Sequence, residues 1–302
     1  MQIVLSFDIE EHDRIEAASG LAVNAASKRH YRQRMDDCTR WLLEALADAE
    51  VCATFFVVGQ IAVSHRELIR DIAEAGHEVA SHGWDHRRVL AMSPAEFADD
   101  IRRSKEALEQ AAGTEVVGYR APTFSVVAQT AWALDVLAEA GMTYDSSIYP
   151  VRHDRYGVPD APREPFLARG ERHTILELPP ATYRVGRANV PMGGGGYFRL
   201  FPLWMTEKAL RQTAAECRPA VATLYFHPWE FDPDQERLPL GRLSRFRTYV
   251  GVGRTRSRLT RLLAKHRFAR AIDVAEDLKA GREGLAEYCV GSEAERPAPC
   301  PT

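Results

Sequence analysis

From Ile3 onward the chain alternates short β-rich runs with helical patterns, and that rhythm restricts the fold more than any other feature. The run "IVLSF" opens it, followed by a helix in "DDCTRWLLEALADA" with Trp41, Leu42, Ala45, Leu46 and Ala49 on one stripe. "CATFFVVG", "HEVAS", "EVVGY", "MTYDSS", "TILELPPA" and "ATLYFH" read as further strands. Helices lie between them. "ELIRDIAEAG" closes at Gly76, and "SPAEFADDIRRSKEALEQAAG" opens on a capping box of Ser93 and Glu96, with Pro94 in its first turn, and stops at Gly113. "AQTAWALDVLAEAG" and "TEKALRQTAAEC" complete the set. Such alternation calls for crossover helices and hence a parallel sheet. With 302 residues to bury one large core, the expected fold class is α/β: a closed (β/α) barrel with fewer than the full eight strands, favoured over an open doubly wound sheet.

Residues 152–196 break the rhythm. They are rich in Pro, Arg and Gly, end in "PMGGGGYF", and read as a long functional loop set. "GGGGY" lacks the Lys-Ser/Thr that would follow in a phosphate loop, so it is expected to be a flexible rim offering Tyr197 and Phe198 to a substrate. Residues 1–283 are expected to form one domain, with 231–283 as an extension. The segment 284–302, ending "ERPAPCPT", has few apolar residues and is expected to be poorly ordered.

A formal charge of -3 gives no basic field for nucleic acid. Nothing approaches the roughly 18 consecutive apolar residues of a membrane span. "MQIVLSFDIEEHD" has no positive n-region and no small-residue cleavage site, so no signal peptide is expected. Cys38, Cys52, Cys217, Cys289 and Cys300 are odd in number and far apart, which fits reduced thiols in a cytoplasmic protein.

The polar residues fall at strand ends. The first strand runs into Asp8 and then Glu10 and Glu11, the third into His82, the fourth into Arg120 and the last into His227. In parallel β/α folds these C-terminal ends converge on one face. Two neutral imidazoles and a carboxylate make a three-ligand divalent metal site. His82 and His86 supply the imidazoles if the segment turns helically after its strand, and Glu10 or a neighbouring acid supplies the oxygen. Asp8 is then placed to take a proton from water, Arg120 to hold Asp8 ionised, and His227 to protonate a leaving amine from the opposite wall. His12, Asp13, His77 and Glu230 read as supporting or surface residues.

Taken together, "SFDIEE", "HGWDH", "RAPTF", "YDSSIYP" and "TLYFHPWEF" resemble the five motifs of the polysaccharide deacetylase family, in order, over roughly residues 3–230. These are metal-dependent carbohydrate esterases that include chitooligosaccharide and peptidoglycan deacetylases, and the resemblance implies a distorted (β/α) barrel of seven strands. The resemblance implies Asp8 as base with a following acid on the metal, and His82 and His86 as metal ligands. It implies Arg120 orienting the base, with a backbone N–H near Thr123 at the oxyanion. It further implies that Asp145 lines the groove and orients the acid, and that His227 is that acid. One departure stands out: the family's first motif has two adjacent aspartates, whereas Asp8 is followed here by Ile9. Asp8 and Glu10 would share a strand face, which favours Glu10 over Glu11 as the metal acid.

The segment after residue 230 and "GGGGYFRLFP" are similar to deacetylases of exosortase-linked exopolysaccharide systems. The expected reaction is removal of N-acetyl groups from an amino-sugar polymer or its lipid-linked precursor, releasing acetate, with a divalent ion, zinc first, as cofactor. Trp229, Tyr197 and Phe198 are the expected sugar-stacking surfaces, and the basic helix "RTRSRLTRLLAKHR" has charge available to an anionic glycan or lipid phosphate. Two rivals are a hydrolase of small amides or cyclic ureides, as in allantoinase-like relatives, and a metal-free carbohydrate-binding protein.

Overall fold

The computed structural model describes residues 1–281 and 284–291. Its strands are β1 (Gln2–Ile9), β2 (Thr54–Val57), β3 (Glu78–Ser81), β4 (Gly118–Tyr119), β5 (Tyr144–Asp145), β6 (Phe166–Arg169), β7 (Thr174–Glu177), β8 (Thr182–Val185), β9 (Ala188–Pro191), β10 (Val221–Phe226) and β11 (Glu287–Cys289). A nine-stranded sheet runs in the order β10-β1-β2-β3-β4-β5-β7-β6-β11. From β10 to β7 every pairing is parallel, which gives the run of seven strands expected for the distorted (β/α) barrel. β6 then adds antiparallel, and β11 pairs with β6.

The helices are α1 (Ala25–Asp48), α2 (Gly59–Ser64), α3 (Arg66–Glu74), α4 (Pro94–Ala112), α5 (Trp132–Glu139), α6 (Gly195–Leu200), α7 (Leu203–Glu216), α8 (Arg242–Tyr249), α9 (Thr255–Leu263) and α10 (Ala271–Ala280). The α4 capping box and its left-handed Gly113 are as the sequence suggests. No helix among the described residues is long and apolar enough to cross a membrane.

Alternation along β1 divides the molecule into layers. Ile3, Leu5, Phe7 and Ile9 face the helices and join the main core, whereas Val4 enters a smaller inner cluster with Phe56, Ala80, Tyr144 and Leu176. α10 closes that inner cluster from below with Ala271, Val274 and Ala275. The next inward residues of β1 are Ser6 and Asp8, so the barrel interior turns from apolar to polar toward the C-terminal strand ends. That gradient places the site.

Three regions depart from the sequence expectation. Besides the expected strand β7, residues 152–196 contain β6 and the β8–β9 hairpin, because "TYRV" and "ANVP" carry enough β-formers to pair across the turn at Gly186. "GGGG" is close-packed instead of flexible. Gly193–Gly195 are buried, and a Cβ on Gly194 would fall 1.7 Å from the Tyr225 carbonyl oxygen, so only glycine admits this backbone approach. Of the expected loose tail, Glu287–Cys289 is the edge strand β11, and residues 292–302 lie outside the described residues.

Candidate active site

β1, β3, β4 and β10 lead at their C-terminal ends into one cavity of about 570 Å³. Its floor holds Asp8, Glu10, His82, His86 and His227. Ligand-competent atoms of Glu10, His82 and His86 lie within 4.8 Å of one another. Glu10 and Glu11 part ways as adjacent residues should. Glu10 faces the histidines, whereas Glu11 is ion-paired with Arg14 and, at 3.6 Å, Arg32.

His86 does not reach His82 along a helix. Residues 82–88 form a loop in which Gly83 (φ 74°) and His86 (φ 67°) take left-handed conformations. For a histidine this costs about 1–3 kcal/mol, and the surroundings enforce it. The Gly59 and Gln60 amides donate to the Gly83 and Trp84 carbonyls at 2.8 and 2.9 Å. Asp100 of α4 accepts from the Trp84 amide at 2.8 Å, and Ser104 donates to the Gly83 carbonyl at 3.0 Å. Burial lifts the Asp100 carboxyl to about 6.

The cluster fits a divalent ion. His82 Nδ1 meets the Arg120 carbonyl at 2.8 Å, which fixes the ring and leaves Nε2 for a ligand. Burial outweighs the pull of Asp8 and brings His82 down to about 4, so the imidazole is neutral, as a ligand must be. Glu10 Oε2 is 2.5 Å from His86 Nε2, yet this buried oxygen has no partner in hydrogen-bond geometry. Two acceptors crowded on one point are what a cation would relieve. Burial opposes ionisation of Glu10, but His86, His227 and His82 outweigh it and take the carboxyl down to about 2.

Asp8 Oδ1 accepts from Arg120 Nη1 at 2.6 Å. Arg120 is fully buried, stacks over Phe56 at 4.1 Å, and donates also to Ser6 Oγ (2.8 Å), Ser146 Oγ (2.9 Å) and the Ser146 carbonyl (3.2 Å). His227 Nε2 lies 3.9 Å from Asp8 Oδ2 and 3.7 Å from Glu10 Oε1. Behind it, Nδ1 pairs with Glu230 Oε1 at 2.8 Å, and Glu230 Oε2 accepts from Arg199 Nε at 2.7 Å. Burial depresses His227, but the Glu230 hydrogen bond and the charges of Glu10, Glu230 and Asp8 prevail and carry it to about 9.

Two expected residues stand elsewhere. Asp145 is fully buried, accepts from Ser147 Oγ (2.5 Å) and the Ser146 amide (2.8 Å), and does not line the cavity. Strand alternation explains it: Tyr144 occupies the inner cluster, so Asp145 points outward beside Glu177, its register partner. The carboxylate behind His227 is Glu230, three residues on in the short helix Pro228–Phe231. Phe198 is likewise buried, 4.7 Å from Phe226, whereas its neighbour Tyr197 lines the cavity. Successive helical residues point about 100° apart. Trp229 and Thr123 (φ 56°) line the cavity, and Trp229 stacks on His227 at 5.5 Å. Two basic residues of α9 are tied to neighbouring backbone, Arg256 donating to the Phe231 carbonyl and Arg258 to those of Phe198, Arg199 and Phe201, while Arg261 is exposed.

By architecture this is a (β/α) barrel with its polar centre at the C-terminal strand ends. The same fold is found in a Mycobacterium smegmatis protein assigned to the polysaccharide deacetylases (TM-score 0.60, 22% identity, 98% of this chain and 94% of that one). Puue allantoinase shares it too (TM-score 0.57, 15% identity, 92% and 90%). Residues 29–144 match the polysaccharide deacetylase family, and residues 146–276 match a domain of unknown function, DUF3473. A chitooligosaccharide deacetylase of Bradyrhizobium sp. (strain ANU 289) is 33% identical over 33% of this chain and 44% of its own length. A peptidoglycan deacetylase of Helicobacter pylori is 30% identical over 35% and 36%. These matches span less than half the length of either relative. Over residues 29–144 the chain is similar to the polysaccharide deacetylase family, and its fold is the one seen in the two solved structures.

Proposed function

We propose that the chain is a metal-dependent de-N-acetylase acting on an amino-sugar glycan. The observation that carries it is the convergence on one cavity of three arrangements: Glu10 with His82 and His86, Asp8 with Arg120, and His227 with Glu230. A divalent ion held by Glu10, His82 and His86, zinc in the first instance, supplies Lewis acidity toward the acetamide and acidifies water. Asp8, held by Arg120, accepts the proton that water releases. His227, charged with Glu230 behind it, presents Nε2 to the cavity and donates a proton to the departing amine. The backbone near Thr123 is assigned to the oxyanion, and Tyr197 and Trp229 to stacking on sugar rings.

The relatives named for chitooligosaccharide and peptidoglycan deacetylation support this class of substrate. An exopolysaccharide or its lipid-linked precursor as the particular glycan belongs to the same proposal, on the C-terminal resemblance. So does a cytoplasmic setting, which suits the free Cys38, Cys52, Cys217 and Cys289. Equimolar acetate and new free amine from N-acetylated chitooligosaccharides would support the reading. Ring opening of allantoin without acetate release, or glycan binding without turnover, would replace it.

A further inference from the structure

We infer that the glycan substrate carries a negatively charged group, phosphate or carboxylate, close to the sugar that is processed, and that an arginine-lined annex of the active-site cavity binds it. The reaction in this statement rests on the deacetylase reading; the binding does not.

A shallow depression, open to solvent, is bounded by Arg237, Arg242, Arg245, Phe246, Tyr249 and Val250. Phe246 and Val250 also line the catalytic cavity, so the two spaces share a wall. The chain as a whole is acidic, at -3, and a number of its arginines are paired with carboxylates: Arg40 with Asp36 and Asp71, Arg102 with Asp99, Arg270 with Asp273. Among the described residues no carboxylate pairs with Arg237, Arg242 or Arg245, and Arg237 rests over the Tyr249 ring at 5.2 Å. On the shared rim, exposed Arg247 has only exposed Asp154, at 4.0 Å. Three unpaired guanidinium groups around one concavity repel each other, and each presents a fork that matches a phosphate or carboxylate.

The annex is anchored to the catalytic centre. Arg199, which holds Glu230, also donates to the Thr248 and Val250 carbonyls at the end of α8, so this helix is fixed relative to His227. Leu243 and Phe246 on the same helix are exposed toward the catalytic cavity, and their apolar surface separates the charged end of the substrate from the acetamide end.

The test reads binding apart from turnover, by calorimetry on the full-length His227→Asn chain loaded with zinc. Three probes of equal length are compared: a neutral chitooligosaccharide, its 1-phosphate, and an oligosaccharide alternating N-acetylglucosamine with glucuronate. At least one charged probe should bind on the order of tenfold more tightly than the neutral one. Which of the two does so identifies the group as phosphate or carboxylate. That preference should shrink as salt rises, and adding R242Q/R245Q should bring it to within about twofold. Arg242 and Arg245 are exposed, so the substitutions leave the core intact. Equal affinity for all three probes, or a double substitution that leaves the preference in place, would overturn the annex. Either result leaves the acetate-release test unaffected, and absence of acetate release leaves this one unaffected.

Discussion

Replacing Glu230 with glutamine is the sharpest perturbation of the catalytic half of this account. Glu230 is 0% exposed and Arg199 2%, and their carboxylate–guanidinium contact is 2.7 Å. Glutamine keeps the shape and removes the charge. Arg199 is then a buried cation without its counter-ion, and loss of one partner from such a pair costs about 3–5 kcal/mol. The same change leaves His227 Nδ1 facing an amide in place of a carboxylate, so the ring loses the partner that orients and charges it. If His227 is the general acid, the step it serves should slow by about 10²-fold or more. Urea denaturation and acetate release, measured at a temperature where the variant is folded, give both numbers. Asp145→Asn is the paired control: it lies outside the cavity and should slow turnover far less. A Glu230→Gln enzyme that loses under about 1 kcal/mol and retains its kcat, or an Asp145→Asn enzyme that is the slower of the two, would refute this assignment.

Other outcomes separate neighbouring residues. Phe198→Ala should cost about 3–5 kcal/mol in unfolding free energy as a core cavity, whereas Tyr197→Ala should raise KM and leave the urea midpoint nearly unchanged. Gly194→Ala should lower stability by about 1–3 kcal/mol, because its methyl group meets the Tyr225 carbonyl; an unaffected midpoint would mean that the backbone there is not so closely packed. Burial, with Asp145 alongside, raises Glu177 well above its ordinary 4.5, and burial raises Asp145 to about 6. A raised carboxyl favours the fold while protonated, so this pair's contribution is full below the ordinary values and is lost as pH climbs from about 4 through 6 and beyond. Glu177→Gln, a permanently neutral mimic, should flatten that part of the pH–stability curve, and an unchanged slope in urea midpoints would count against a raised Glu177 carboxyl.

The sequence carried the parallel run, the capped α4 and the strand-end polar residues because each rests on local pattern: periodicity, a cap, a residue following a strand. Glu10 was separable from Glu11 by alternation alone. What local pattern could not give was burial and direction. The same alternation turns Asp145 outward once Tyr144 is known to be inside, and a helical step turns Phe198 inward beside Tyr197. Glu230 carried a signal, an acid three residues after His227, but only the helical turn at Pro228–Phe231 makes that spacing a contact. His86 reaches His82 through a left-handed loop held by α2 and α4, a tertiary constraint with no trace in "HGWDH" itself. The arginine annex depends on α8, which the sequence reading did not distinguish from the rest of the extension.

The central claim is that Glu10, His82 and His86 hold one divalent ion on which the chemistry depends. Metal content per chain, measured alongside acetate release on the same preparations, tests it directly. The account predicts close to one ion per chain in the parent protein, loss of both ion and acetate release in His82→Ala, and return of activity to the chelated parent when a divalent ion is restored. Undiminished acetate release from a rigorously chelated, metal-free preparation would contradict it.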